Sequence, residues 1–476
     1  MNLSLKLGCC SLWPQWLAAI ELCFIKLNAG LVAGWPSPYL AKLNAIKYPN
    51  SELPLSDIDA SWIASLPNLA RPCGAIFGGV LVYVIGTKLS MLLSGVAFAL
   101  GWLCFFVIDS LPLVYVSRVV SGVGVGMLFS VSPLYIGEIA HPKIRGALIA
   151  LTMQGFLVGT LCGSIMGKYL NMWVFAAVSL ALSIIFLISF SVMPQTPHHL
   201  IRCHKVEEAA KSILFYDRKA HVKKELDTLQ AFHQANQSMT FKNILHELNT
   251  PVNRRALLMV NIIAILTQVS GSNVFSSYME IILTNAHVDI IEPSSLVIVV
   301  SLVSISSSFL GMLTYDKYGR AIMLSSSSMG AAFAIFLLGL NYLLLDLNFH
   351  NPNLQWLSIV SMIFYKIAGS FGLIVVPSAL TSEIFAPSIK GVGSCIKSSL
   401  IGISAFLVIK FYQPLVKILT EKYLFFIYSL LLILMALYAI FFIPETKGKS
   451  LPEIQEILSR GVKAKSHNYK KSNDDK

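Results

Sequence analysis

The chain has 476 residues, of which 55% are hydrophobic and only 13% are charged, with a formal net charge of +12. This composition exposes too much apolar surface for one soluble core, so the chain is expected to lie in lipid. The basic charge does not indicate a nucleic-acid partner, because the Lys and Arg residues fall mainly between or after the apolar stretches.

Apolar runs of about 20 residues recur along the chain, each long enough to cross the hydrocarbon layer as a helix. We count twelve, near residues 13–36, 58–86, 89–108, 112–136, 146–168, 172–193, 255–283, 294–315, 321–345, 355–381, 391–413 and 423–443. A polar, mixed-charge stretch separates the first six from the last six. The predicted organisation is a six-helix half at 1–193, a cytosolic helical linker at 194–254, a second six-helix half at 255–443 and a cytosolic tail at 444–476.

The orientation follows from the positive charges. An N-terminus inside the cell assigns to the cytosol Lys88, Arg145, the basic cluster of the linker and Lys390, whereas the opposite loops carry few basic residues. Loops rich in Lys and Arg stay on the cytosolic side. Both termini are therefore predicted to be cytosolic.

Short phrases repeat at a constant offset along the chain. Pro194-Gln195-Thr196-Pro197 closes the first half, and Pro444-Glu445-Thr446-Lys447 closes the second. Glu138 precedes Arg145 by seven residues, as Glu383 precedes Lys390, and Gly86 after the second span corresponds to Gly319 after the eighth. The chain is interpreted as a duplication with parallel halves, the plan of a secondary transporter that binds its substrate near the bilayer midplane.

The repeated charges are interpreted as a latch. Glu138 with Arg145, and Glu383 with Lys390, can pair across helix ends when the cytosolic side is closed and separate when it opens. A network of several such pairs can bias a two-state equilibrium even though each surface pair is weak. The alternative is ordinary anchoring of charges at the membrane interface.

Several motifs in order along the chain carry a resemblance to a known family. They are Gly34-Trp35-Pro36-Ser37-Pro38, Ser61-Trp62-Ile63, Arg118 with Gly122 and Gly126, Pro133 to Arg145, Ser270-Gly271-Ser272-Asn273, Glu383 to Gly391, and Pro444 to Gly448. Together they resemble the sugar porter family of the major facilitator superfamily, and within it most closely the insect facilitated trehalose transporter group. The resemblance implies an all-α membrane protein with twelve transmembrane helices in two six-helix halves, the major facilitator fold.

The resemblance also implies site residues. Gln268 and Asn273 match two amides that contact sugar, Tyr278 matches an outer aromatic gate, and Thr267 and Gln154 lie at or beside other contact positions. Amide and hydroxyl groups suit a polyol because they make neutral hydrogen bonds to its hydroxyls. For the amides the alternative is interhelical hydrogen bonding. The implied gating network adds four residues to the latch, namely Arg118, Asp316, Arg320 and Glu445.

The chain departs from the family pattern in both regions. Tyr83 to Lys88 lacks the usual acid and one Arg, so the first-half latch is expected to be thinned. Met153 stands at a usual Gln position, and Ser378 and Gly402 stand at usual Trp positions. These losses leave room for a different or larger substrate, or for a weakened site.

Ionisable residues inside the spans are costly and each is expected to pair or to face water. Those without an obvious family role include Glu21, Lys26, Arg71, Glu280, Lys366, Lys397 and Lys410. A pair between Glu21 and Lys26 is expected to be structural. A proton-coupled porter would carry a carboxylate near Leu31 in the first span, and because that position is apolar, the simplest mechanism is uniport.

The sequence thus predicts a facilitative transporter of a sugar, trehalose or a hexose, that works by alternating access in the plasma membrane. We find no nucleotide loop, metal cluster or triad-like set in the sequence, so neither enzyme activity nor a cofactor is expected. The expected partners are the sugar and the bilayer, with no nucleic acid and with the monomer as the functional unit. The alternatives are a proton-coupled sugar symporter and a non-transporting sugar sensor or degenerate porter.

Overall fold

The computed structural model describes residues 12–42, 56–105, 110–141, 144–236, 246–349, 351, 353–385, 389–446, 449 and 451–460. Every regular element in these ranges is helical. The predicted all-α fold is therefore confirmed.

The chain divides into two compact units, each described by itself. Unit 1 comprises Met1–Met239 with the short segments Ser276–Tyr278 and Ala405–Lys410. Unit 2 comprises Thr240–Phe275, Met279–Ser404 and Phe411–Lys476. The finer division of the chain into halves, linker and tail stays a prediction.

The helices up to residue 236 belong to unit 1. They are α1 Trp13–Gly34, α2 Pro36–Lys42, α3 Asp57–Ile85, α4 Thr87–Cys104, α5 Leu111–Ile139, α6 Arg145–Tyr169, α7 Met172–Ser191, α8 Pro197–Arg202, α9 Val206–Tyr216 and α10 Val222–Asn236. The first two form one membrane-spanning stretch, because Trp35 between them keeps helical dihedrals. The last three pack on a small apolar cluster of Leu200, Ile201 and Ala209.

The remaining helices of the chain begin at residue 251. They are α11 Pro251–Val269, α12 Ser272–Ser277, α13 Met279–Asn285, α14 Pro293–Tyr318, α15 Arg320–Asp346, α16 Leu354–Ala368, α17 Val375–Ile384, α18 Lys390–Phe442 and α19 Leu451–Arg460. A π-helical turn at Gly369–Leu373 joins α16 to α17.

Eleven helical stretches in the described residues are long and apolar enough to cross a membrane. The last of them, α18, has 53 residues and contains Thr420 at φ 63° and ψ 156°, outside the helical region. This residue divides α18 into two parts, each of which can span the hydrocarbon layer. The described residues therefore agree with the predicted count of twelve spans.

The two halves of the chain share a special turn between consecutive helices. Gly86 lies between α3 and α4 at φ 88° and ψ 169°, and Gly319 lies between α14 and α15 at φ 84° and ψ 157°. Residues with a side chain rarely adopt this conformation, so glycine is needed at both places. The common geometry supports a duplicated chain.

Glycines allow the long helices of unit 1 to pack with their backbones almost in contact. A Cβ added to Gly155 would collide with the carbonyl oxygen of Cys23, and one added to Gly159 would collide with that of Leu27, which joins α1 to α6. Gly126 faces the carbonyl oxygen of Arg71 in the same way and joins α3 to α5. Small residues at helix contacts are the usual means of close packing in membranes, where lipid supplies no hydrophobic drive between helices.

The outward surfaces of the helices are apolar. Ile76, Ile188, Leu310 and Phe441 are each more than half exposed. Exposed side chains of this kind suit contact with acyl chains rather than with water.

Candidate functional site

The seventh span is broken where the sequence predicts its two sugar-contacting amides. Helix α11 ends at Val269, Gly271 adopts φ 88°, and α12 begins at Ser272. Asn273 Nδ2 donates a hydrogen bond to Gln268 Oε1, although the two residues are five positions apart. On a straight helix this spacing would turn the side chains away from each other. The break therefore brings the two amides to one place.

Thr267 lies one residue before this pair. Its Oγ1 donates to the carbonyl oxygen of Ile263 at 2.8 Å and lies 3.8 Å from Met435 Sδ. The hydroxyl hydrogen is thus used within the helix, and the oxygen lone pairs stay available to accept. Gln268, Asn273 and Thr267 all belong to unit 2.

The two other predicted contacts belong to unit 1. Tyr278 is fully buried, and Gln154 is half-buried on α6 directly after Met153. The structure therefore describes the candidate contacts as two sets, one in each unit.

The charged cluster of unit 2 is well formed. Arg320 Nη2 donates to Glu383 Oε1 at 2.8 Å and Arg320 Nε donates to Glu383 Oε2 at 3.2 Å, so the guanidinium grips the carboxylate with two bonds. The backbone N–H of Arg320 donates to Glu445 Oε1 at 3.1 Å, and Thr446 Oγ1 donates to Glu383 Oε2 at 2.5 Å. Bidentate pairs of this kind are the strong ones.

The sequence analysis missed Thr446, although it lies inside the repeated phrase, because a hydroxyl carries no charge signal. Lys390 begins α18 a few residues after Glu383. The side chain of Asp316, the remaining member of the predicted network in this half, lies outside the described residues.

The matching cluster of unit 1 is held by hydroxyls. Thr87 Oγ1 donates to Glu138 Oε2 at 2.6 Å and lies 3.4 Å from Thr196 Oγ1. Arg145 Nη2 donates to the carbonyl oxygens of Gly137 and Ala140 at 3.3 and 3.5 Å, so in this conformation it caps the end of α5. Thr87 occupies the place that Arg320 has in unit 2, which agrees with the predicted thinning of the first-half latch.

Arg118 lies far from the Glu138 end of its helix. It precedes Glu138 by 20 residues on α5, which corresponds to about 30 Å along the helix axis. Its Nε donates to the carbonyl oxygen of Ile63 at 3.0 Å and its Nη1 to that of Val32 at 3.1 Å. Arg118 thus ties α5 to α1 and α3 near the opposite ends of these helices, and a contact with the Glu138 cluster is excluded within unit 1.

A cavity of about 160 Å³ lies beside the Glu138 cluster. It is lined by Val82, Gly86, Glu138, His198, His199, Ile201, Arg202 and Leu229. Burial lowers the pKa of His198, the carboxylate of Glu138 opposes this shift, and Arg145 adds to it. Burial also lowers the pKa of His199, as do the positive charges of Arg202 and Lys205.

Two charged residues of the first span do not form the pair that the sequence suggests. Glu21 Oε2 accepts a hydrogen bond from Ser189 Oγ at 2.7 Å, whereas Lys26 Nζ donates to Thr152 Oγ1 at 2.7 Å. The expected structural pair of Glu21 and Lys26 is therefore wrong. Five residues on a helix amount to 500° of rotation, which points the two side chains toward different neighbours.

One intramembrane lysine of the second half binds a hydroxyl oxygen and a backbone oxygen. Lys397 Nζ donates to Thr381 Oγ1 at 2.7 Å and to the carbonyl oxygen of Pro377 at 2.9 Å, beside the proline of α17. Lys366 lies in α16 and is half-buried. Within the described ranges, no group of three or more His, Cys, Asp or Glu side chains could hold a metal ion.

The chain resembles known transporters over most of its length. A profile of the family described as "Sugar (and other) transporter" matches residues 17–458. The facilitated trehalose transporter Tret1 of Bombyx mori is 27% identical over 451 residues, which cover 94% of this chain and 88% of that protein. The protein of the same name from Apis mellifera ligustica is 28% identical over 453 residues, covering 95% and 89%.

Solved structures show the same fold. The proton:xylose symporter XylE bound to 6-bromo-6-deoxy-D-glucose superposes with a TM-score of 0.74 at 19% identity, covering 92% of this chain and 98% of that one. The inward-open conformation of XylE from E. coli gives a TM-score of 0.73 at 20% identity, covering 93% and 99%. These likenesses establish the major facilitator fold for the chain.

Proposed function

The chain belongs to the sugar (and other) transporter family, and we propose that it carries a sugar across the membrane by facilitated diffusion with alternating access. The relatives named above are facilitated trehalose transporters. Trehalose and hexoses are therefore the first sugar skeletons to test.

The observation that carries this proposal is the broken seventh span. Gly271 interrupts the helix and turns Gln268 and Asn273 toward each other, so their amides form one polar patch inside an apolar span. Discontinuous helices near the bilayer midplane are the usual place where transporters bind substrate. Thr267 extends the patch, and Gln154 and Tyr278 are proposed as further sugar contacts.

An uncoupled mechanism is supported by the first span. Leu31, where a proton-coupled porter would carry a carboxylate, is fully buried and apolar. Glu21 on the same helix is hydrogen-bonded to Ser189 and lies toward one end. XylE is described as a proton:xylose symporter. Proton coupling is therefore the alternative that a flux measurement has to test.

The charged clusters are proposed as the cytosolic gate. Glu383 with Arg320, Glu445 and Lys390 would hold one half, and Glu138 with Arg145 the other, with Asp316 as a further member. Arg118 is proposed to steady the opposite ends of α1, α3 and α5. We also propose a plasma-membrane location and a functional monomer, together with cytosolic termini, which the distribution of Lys and Arg supports.

Tracer uptake in cells that lack their own sugar transport tests the proposed function. Trehalose, glucose, fructose and a polyol are supplied separately, with surface expression measured in parallel. Saturable uptake of at least one of them is expected. A protein that reaches the surface and moves no sugar of any kind would be a sensor or a degenerate porter, and the proposal would then be wrong.

A further inference from the structure

A buried lysine lies at mid-depth in the first span of unit 1. Lys26 is the fourteenth of 30 residues in the span Trp13–Lys42, and its side chain is 1% exposed. A charged residue at the centre of a membrane helix is costly, so it persists only where it has a function or a partner.

The hydrogen bonds of Lys26 to the described residues do not use all the N–H donors of its ammonium group. Thr152 Oγ1 donates its own hydrogen to the carbonyl oxygen of Ile149 at 2.8 Å and therefore accepts one N–H from Lys26 at 2.7 Å. A second neighbour is Met153 Sδ at 3.7 Å, and a thioether is a weak acceptor. An ammonium has three N–H donors, and among the described residues only one of these donors meets a strong acceptor.

Carboxylates of the described residues do not compensate the charge of Lys26. Glu21, the acid of the same helix, is bound to Ser189 on α7. The contacts of Lys26 are neutral, namely a hydroxyl, a thioether and the ring of Phe129, whose centroid lies 5.7 Å from Nζ.

A second cation faces the same ring. Arg71 is the fifteenth of 29 residues in α3, the centre of its span, and its guanidinium carbon lies 4.8 Å from the centroid of Phe129. Two positive groups therefore lie over the ring of Phe129. An anion beside Phe129 would be attracted to both groups and would accept hydrogen bonds from the remaining donors of Lys26.

We propose that the transported sugar bears an ionised acid group, such as a carboxylate, sulfate or phosphate, and that Lys26 binds this group. The inference rests on the proposed transport function, since mid-depth in the spans is where substrate binds, and it narrows the substrate to one class. Lys26 Nζ lies 3.7 Å from Met153 Sδ, and Gln154, a proposed sugar contact on α6, is the next residue along the chain. Neutral groups would then hold the sugar ring, and Lys26 would select its charge.

The test compares acidic with neutral sugars on the full-length protein in proteoliposomes. Glucuronate, glucose 6-sulfate and glucose 6-phosphate are set against glucose and trehalose. Because a charge-assisted hydrogen bond contributes about 1.5–3 kcal/mol, we expect the best acidic sugar to exceed glucose about tenfold to a hundredfold in kcat/KM. Uniport of an anion moves charge, so an inside-positive potential set with potassium and valinomycin should accelerate its uptake and leave the uptake of glucose unchanged.

Variants of Lys26 test whether this residue determines the preference for acidic sugars. Lys26→Met should abolish the preference for acidic sugars, Lys26→Arg should retain it, and the matched control Lys168→Met, at the end of α6, should behave as wild type. The wild-type panel alone decides the substrate class if Lys26→Met does not fold. Saturable uptake of glucose that none of the three acidic sugars exceeds or inhibits would contradict this inference and leave the proposed function standing. A reconstituted protein that moves none of the five sugars would contradict both.

Discussion

Thr87 and Arg320 occupy the same place in the two halves of the chain, directly after a glycine with positive φ. Arg320 binds Glu383 with two hydrogen bonds from a charged guanidinium, whereas Thr87 gives Glu138 one bond from an uncharged hydroxyl. A bidentate Arg–carboxylate pair adds the attraction of two opposite charges and a second bond. The stability of the closed cytosolic gate should therefore depend mainly on Glu383.

Replacing Glu383 tests this asymmetry. In Glu383→Gln, both charge-assisted bonds to Arg320 lose their charge, and a loss of about 1.5–3 kcal/mol should shift the gate toward the cytosol-open state about tenfold or more. Ser394→Cys, at a buried position of α18, reports the shift through its labelling rate with a cytosolic thiol reagent after the native cysteines are replaced.

The matched control for this experiment is Glu208→Gln, which breaks an exposed pair with Lys205 on α9. Such exposed pairs contribute little, so its labelling rate should equal that of wild type. Equal labelling in Glu383→Gln and wild type would refute the gating role of Glu383.

The amide pair of the seventh span predicts a binding phenotype. Gln268→Ala and Asn273→Ala each remove a partner from a buried polar patch, which costs about 1–3 kcal/mol. The half-saturation concentration for the transported sugar should rise about fivefold to a hundredfold, with the amount of protein at the surface unchanged. Concentration-dependent tracer uptake measures this.

Asn285→Ala is the control for the amide variants, because Asn285 binds Glu421 at an exposed position beyond the broken span. Its uptake should match wild type. If both Gln268→Ala and Asn273→Ala also match wild type, the two amides are interhelical contacts and the site assignment fails.

At the scale of single elements, the break in the seventh span could be predicted and several other irregularities could not. Ser270, Gly271 and Ser272 interrupt an apolar run, and the chain does break at Gly271. Thr420 adopts φ 63° without a glycine, and the π-helical turn Gly369–Leu373 has no distinct sequence signal. Such features depend on tertiary packing, which local propensity does not encode.

The close contact of α1 with α6 predicts opposite outcomes for two glycines of the same helix. Gly159 faces the backbone of Leu27, so a methyl group there must push the helices apart, at a cost of about 1–3 kcal/mol or more. Gly146 has no heavy atom within 4 Å of an added Cβ, so Gly146→Ala should be neutral or stabilise the helix by up to about 1 kcal/mol.

The melting temperature of the purified protein in detergent measures both changes. A clear decrease for Gly159→Ala with none for Gly146→Ala is the expected result. Equal melting temperatures for the two variants would mean that the α1 and α6 contact does not limit stability.

At the scale of the whole molecule, apolar runs and repeated phrases suffice to predict the fold, because lipid requires every span to be a closed helix of nearly fixed length. Side-chain partners are less predictable. The sequence suggested that Lys26 pairs with Glu21 and placed Arg118 with the gate, but Lys26 binds Thr152 and Arg118 binds backbone carbonyl oxygens of Ile63 and Val32. Such pairings depend on which helices face each other. The spacing of residues along one helix does not determine these neighbours.

Facilitated sugar transport is the central claim, and counterflow in proteoliposomes tests it most directly. Vesicles are loaded with an excess of the best sugar of the panel, diluted into a trace of the same labelled sugar, and held at zero potential with potassium and valinomycin in the presence of a protonophore. The account predicts a transient accumulation of label that empty vesicles do not show, because exchange needs only an alternating site. Absence of counterflow for every sugar, or accumulation that requires an inward proton gradient and disappears with the protonophore, would contradict it.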